Sequence, residues 1–165
     1  MKTLIQKKSS SEPVNILLVG NNPIEMGPVL EKLRQVRNRK IITETAFDIQ
    51  SIVERLVKFH PNFILIDDNI GRDELLQTVN KLSSTRKTKN VPITVLKNSN
   101  YKEALASTSI HDYLLKQNLS ADTLYSTIKN TLRFRRTQRL LSQAFKNRKG
   151  MLMKLLDRKV LNLIG

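Results

Sequence analysis

Short apolar runs alternate along this chain with longer stretches whose apolar positions recur every three or four residues. Phe63-Ile64-Leu65-Ile66 is the central run, bounded by Pro61 and Gly71 and driving straight into two carboxylates, Asp67 and Asp68. Its length and its bounding breakers describe a strand buried on both faces, spanning 62–67. Val14 to Val19 is a second such run, 91–96 and 112–115 give two further strands, and 41–46 alternates enough for another. Between them the period changes to that of a helix. Asn22 caps and Pro23 opens a helix through Met26, Val29, Leu30, Leu33 and Val36. Asp48 caps another through Ile52, Val53, Leu56 and Val57, and Gly71 precedes one through Leu75, Leu76, Val79 and Leu82. Ser83 to Asn90 reads as a polar loop, 101–107 as a short helix. Ser120 caps a last helix with Leu124, Tyr125, Ile128 and Leu132 on one face. Strand and helix alternate five times, which predicts an α/β fold: a doubly wound parallel sheet with helices on both faces and right-handed crossovers.

The last helix has no stop near Ile128. It can run to Gly150, a natural C-terminal signal, which makes the stretch from Ser120 to Lys149 about 45 Å long. A second helix is expected after Gly150, with Leu152, Leu155, Leu156, Val160 and Leu163 on one side and Lys154, Arg158 and Lys159 on another. A stripe of that kind, outside a core that has already closed, marks a contact surface. Three regions follow: a flexible lead over 1–13, a domain over 14–132 and a basic amphipathic helical extension over 133–165.

Charge changes this picture by its location. The 165 residues carry a net charge of +15. Residues 14–128 hold fifteen Lys and Arg against twelve Asp and Glu, whereas 129–165 hold eleven basic residues against Asp157 alone. A basic tail on a balanced domain points to an added function rather than to a fold devoted to nucleic acid. The chain has no cysteine and only His60 and His111, which excludes disulfides and thiolate metal sites and argues against zinc. No run approaches the roughly 20 apolar residues that span a bilayer, and the N-terminus lacks a signal-peptide core, so a cytoplasmic protein is expected. No acid–base pair, activated nucleophile or glycine-rich phosphate loop supports turnover of an external substrate.

From about Val14 to Leu132 the chain resembles the receiver domain of two-component response regulators, the CheY-like family. Pro61 to Asp67 is similar to the family's third strand, Val91 to Leu96 to its fourth, and Asp112-Tyr113-Leu114-Leu115-Lys116 to its fifth. The resemblance implies a flavodoxin-like fold with strand order 2-1-3-4-5. It places the phospho-accepting aspartate at Asp67, the family's lysine at Lys116 and its switch aromatic at Tyr113.

The departures bear on function. The family binds Mg²⁺ through two acidic residues after the first strand together with the acceptor aspartate; here those two positions are Gly20 and Asn21. Mg²⁺ demands oxygen ligands in near-octahedral geometry, so the expectation is no cofactor, or at most a weak Mg²⁺ site through Asp67. Asp68 is a poor replacement, because successive strand residues point oppositely. The family's hydroxyl residue after the fourth strand is Lys97, followed by Asn98, and the proline after its lysine is Gln117. The pocket of Asn21, Asp67, Asp68, Lys97 and Lys116 therefore describes an atypical phosphorelay module, a pseudo-receiver that is not an enzyme. It would act through protein–protein contacts with a histidine kinase or a downstream effector, or as a homodimer through its C-terminal helices. A working phospho-receiver and a basic-tail nucleic-acid module are the alternatives, the latter weakened by the leucines interleaved with the tail's charges.

Overall fold

The computed structural model describes residues 12–98 and 109–164. The short helix expected over 101–107, and most of the lead expected over 1–13, lie outside the described residues.

Five strands form one parallel sheet in the order β2-β1-β3-β4-β5: β1 (Val14–Val19), β2 (Ile41–Ala46), β3 (Phe63–Asp67), β4 (Ile93–Lys97) and β5 (Asp112–Leu115). The helices are α1 (Pro23–Arg34), α2 (Ile49–Lys58), α3 (Arg72–Ser84) and α4 (Ala121–Ile164), with single 3-10 turns at Asp68–Ile70 and Lys116–Asn118. This is the flavodoxin-like, CheY-like topology that the alternation and the resemblance predict. The pairing is in register where the site lies: Asp67 stands opposite Leu96, and Lys97 opposite Leu115.

Local chemistry sets the helix starts. The Asn22 side chain accepts from the Ile24 backbone N–H at 3.0 Å, with Pro23 in the first turn. Asp48 and Ser51 form a reciprocal capping box, Asp48 accepting from the Ser51 N–H at 2.7 Å and the Ser51 hydroxyl accepting from the Asp48 N–H at 3.0 Å. The Ser51 backbone N–H, and after it the Ser51 hydroxyl, hold the exposed Asp48 carboxyl below its ordinary value. Ser120 caps α4, accepting from the Thr123 N–H at 3.0 Å. Gly71 has φ +93°, a conformation that L side chains rarely adopt, and it joins the turn after β3 to α3.

Strand alternation divides the core. Leu17, Val19, Ile64, Ile66, Ile93 and Val95 pack with Ile52 and Leu56 of α2 and with Leu75, Val79 and Leu82 of α3. Ile16, Leu18, Phe63 and Leu65 have the opposite parity and are equally buried, as are Met26, Val29 and Leu33 of α1 and Leu124 and Ile128 of α4. All of β3 is buried, as the unbroken apolar run predicts.

Three expectations need correction. β4 begins at Ile93 rather than Val91, because Pro92 has no N–H for the ladder and Val91 closes a turn onto the Thr88 carbonyl. It ends at Lys97, so this residue belongs to the strand. The stretch 83–90 is less loop-like than its polarity suggests: Ser83 and Ser84 finish α3, and the buried Thr88 hydroxyl donates to the Leu82 carbonyl at 2.7 Å. Gly150 does not end a helix. α4 is one helix of 44 residues, about 66 Å long. A glycine stop requires positive φ, which among the described glycines only Gly71 has. Met151 and Leu152 then continue the helix with favourable propensity.

The chain divides between Ile128 and Lys129 into two compact units, slightly before the boundary expected at 132. In the second unit Leu152, Leu155, Leu156, Val160 and Leu163 are all exposed. Among the described residues no helix is long and apolar enough to cross a membrane.

Candidate functional site

The carboxyl ends of β1, β3 and β5 meet at one edge of the sheet, where ligands of doubly wound folds bind. Asp67 closes β3 and is 2% exposed. Its Oδ1 accepts from the Asn69 backbone N–H at 3.0 Å, and its Oδ2 lies 2.5 Å from the Lys116 Nζ. Lys116 follows β5 directly, and its ammonium also stands 3.5 Å from Glu25 Oε2. One ammonium thus serves two carboxylates, one buried at a strand end and one in the first turn of α1.

The remaining predicted residues are placed as follows. Asp68 turns to the end of β4, where its Oδ1 accepts from the Asn98 backbone N–H at 3.2 Å and from the Asn98 side-chain amide at 2.7 Å. That amide also donates to Asn69 Oδ1 at 2.6 Å. Asp67 and Asp68 therefore diverge, one toward β5 and one toward β4, as alternation predicts. Lys97 is placed with Tyr113, its ammonium 5.4 Å from the ring centroid. Burial pushes the Tyr113 phenol above its ordinary range. Asn21 is exposed, while Gly20 beside it is buried, its N–H donating to the Ala46 carbonyl at 3.1 Å.

Gly20 shows what fills this edge. A Cβ at that position would meet Met26 Cγ and Sδ at 3.0 Å and Asp67 Cβ at 3.3 Å. Those distances are tighter than ordinary van der Waals contact, and a longer side chain has further atoms to accommodate. Met26 is itself buried. A methionine on α1 thus occupies the space beside Asp67 into which a side chain at 20 would grow.

Glu25 and Met26 are the participants that sequence reasoning missed. Met26 reads as one more core position of α1, and Glu25 as a solvated first-turn acid. The available signal was their distance from Asn22: a helix capped there brings its first turn over the carboxyl edge. Outside the ion pair, Glu25, Val29, Lys32, Asn98, Lys116 and Leu119 line a cavity of about 370 Å³. Among the described residues no group of three or more His, Cys, Asp or Glu is gathered to hold a metal.

No family model matches the chain, and no curated protein matches it in sequence. Solved structures do. The receiver domain of a sensor histidine kinase from Pseudomonas aeruginosa, crystallised with magnesium in its active-site cleft, has a TM-score of 0.61 at 18% identity, covering 73% of this chain and 98% of that one. The chemotaxis response regulator CheY4 of Vibrio cholerae has a TM-score of 0.58 at 19% identity, covering 72% and 98%. A fusion carrying the trimeric coiled coil of yeast Spc42 has a TM-score of 0.64 at 17% identity, covering 88% and 96%. This chain has the fold of the response-regulator receiver domain, and at these identities the likeness is one of fold.

Proposed function

We propose that this protein is a receiver-like module of two-component signalling that works in the cytoplasm through protein contacts, with little or no phosphoryl transfer to Asp67. The observation that carries this reading is that Met26 takes the space next to Gly20 into which a side chain there, beside Asp67, would grow. Phosphoryl transfer to a carboxylate needs cations that offset the charge building on the equatorial oxygens. The family meets that need with Mg²⁺, and the donor set here does not suit the ion. Gly20 has no side chain and a Cβ there would press on Met26, Asn21 offers an amide, and the Asp67 oxygens already serve the Lys116 ammonium and the Asn69 N–H. Asp67 and Lys116 act in this reading as a structural ion pair that fixes the ends of β3 and β5, and the module is not an enzyme. Its output does not depend on a phosphorylation-driven switch at Tyr113, which Lys97 covers.

The partner-binding segment is residues 129–164 of α4, where Leu152, Leu155, Leu156, Val160 and Leu163 stand in solvent. The likeness to a coiled-coil fusion over 88% of this chain supports a helix-mediated contact. The partner is a kinase, an effector or a second copy.

Intact mass after incubation with acetyl phosphate and Mg²⁺ tests the chemistry. The expected spectrum is the unmodified chain. Rapid, stoichiometric gain of one phosphoryl group, lost in Asp67→Asn, would overturn this reading and establish a working phospho-receiver.

A further inference from the structure

The exposed part of α4 carries a pattern more specific than an apolar stripe. Phe134, Phe145 and Leu156 are spaced by eleven residues, and so are Leu141, Leu152 and Leu163. Gln138, Lys149 and Val160 form a third series with the same spacing. Interleaved, the three series give steps of four, four and three residues along one face, about 44 Å from end to end. Seven of these nine positions are apolar, and those seven side chains are 52% to 86% exposed. Two frames with a seven-residue repeat tie as the best, one through Ala144, Met151 and Arg158 and one through Phe145, Leu152 and Lys159; each reaches five of nine and puts Arg148 and a second cation in the seam. Eleven residues in three turns is 3.67 per turn, close to the natural helix, so this seam stays nearly parallel to the axis and favours a straight or slightly right-handed pairing. Gly150 falls outside the nine positions and leaves no gap in the seam.

We propose that this 11-residue seam docks onto an acidic amphipathic helix of a different protein, with a partner carboxylate facing Lys149. The inference deepens the reading of the chain as a contact-driven module. Charge selects the occupant. Residues 129–149 carry eight Lys and Arg and no Asp or Glu, and Lys149 occupies a seam position itself. A second copy brings the same charges. Residues 134–163 centre between Arg148 and Lys149, so parallel overlap sets Lys149 against Lys149 and antiparallel overlap sets it against Arg148. An acyl layer would have to accept the Lys149 ammonium inside the apolar face. Nucleic-acid phosphates would engage the cations and leave seven apolar side chains in water. A helix with acidic flanks answers both the apolar seam and the buried-facing cation.

The test uses the full chain and three labelled helical peptides of about 33 residues, or three 11-residue repeats. One carries leucine at the four-four-three positions with glutamate on the flanks and opposite Lys149. The second replaces glutamate by lysine, and the third keeps glutamate but spaces its leucines by seven. The first is expected to bind at least tenfold more tightly than either other. Phe145→Ala and Leu152→Ala are expected to weaken it tenfold or more, with helicity retained by circular dichroism, while Leu161→Ala, exposed but off the seam, leaves it unchanged. Lys149→Glu should reverse the preference between the first two peptides. Equal binding of the three peptides, or none, overturns the proposal. So does self-association by sedimentation that Phe145→Ala abolishes, which makes the occupant a second copy. Flotation with phosphatidylserine vesicles without peptide binding overturns it in favour of lipid. Acetyl phosphate labelling of the same sample separates the two readings: fast labelling of Asp67 with selective peptide binding removes the pseudo-receiver reading and leaves the seam intact.

Discussion

In the body of the protein a buried charge is met from within the chain, and apolar strands lie against apolar helices; in residues 129–164 the large apolar side chains stand mostly in solvent. Asp67 finds Lys116, Lys116 finds Glu25, and Asp68 finds Asn98. Along α4 beyond Ile128, eight cations precede Gly150 without one acid, and phenylalanines and leucines stand exposed. The same amino-acid types thus do opposite work. Where an apolar run can cover itself it specifies the fold, and where it stands exposed, as along α4, the fold is set without it.

Breaking an internal charge pair should have the largest effect. Lys116→Met leaves the buried Asp67 carboxylate without its cation and is expected to cost roughly 3–5 kcal/mol in urea unfolding. Adding Asp67→Asn should recover much of that loss. If Lys116→Met alone is neutral, the pair is not what joins β3 to β5.

Truncating the two kinds of leucine sharpens the contrast. Leu65→Ala removes a fully buried side chain from β3 and should cost about 2–5 kcal/mol. Leu156→Ala, on exposed α4, should stay within about 0.5 kcal/mol for the isolated protein. A large loss at Leu156 would mean that this side chain is already covered in solution.

Gly150→Ala is expected to stabilise the middle of α4 by roughly 0.5–1 kcal/mol, since nothing lies within 4 Å of an added Cβ and a helix interior favours alanine. Slower amide exchange around residue 150 would report it, and unchanged exchange would place a break there.

The smallest effect is a pH dependence. The Asp48 carboxyl is held below its ordinary range by the Ser51 hydrogen bonds, so its contribution is present above the unfolded value, about pH 4, and is lost as pH falls through the folded one. Asp48→Asn keeps an acceptor in the cap and should remove that part of the acid slope in a series of melting curves. An unaltered slope would assign the loss to other carboxylates.

The sequence made the sheet legible because each strand announces itself twice, by an apolar run and by the breaker or cap that follows. Asn22, Asp48 and Ser120 name their helix starts through chemistry that needs no tertiary partner. The ends were harder. Gly150 looked like a stop, yet a stop depends on the φ that the chain adopts, and the leucines beyond it outweigh one unfavourable residue. At the site, Asp67 was legible from its place at the end of β3 and Lys116 from the family resemblance of the stretch around β5. Glu25 and Met26 were not, because their role depends on where the first turn of α1 sits over the sheet edge, a distance that no periodicity encodes.

The Gly20–Met26 contact also constrains how this chain can change by descent. A side chain at position 20 presses on Met26, and a smaller residue at 26 opens a void beside Asp67 while Gly20 remains. A residue larger than glycine at 20 requires Met26 to shift by a few tenths of an ångström, so the two positions are coupled. The side chains that fit at 20 and at 26 therefore depend on each other, and a change at one alters what the other can accept.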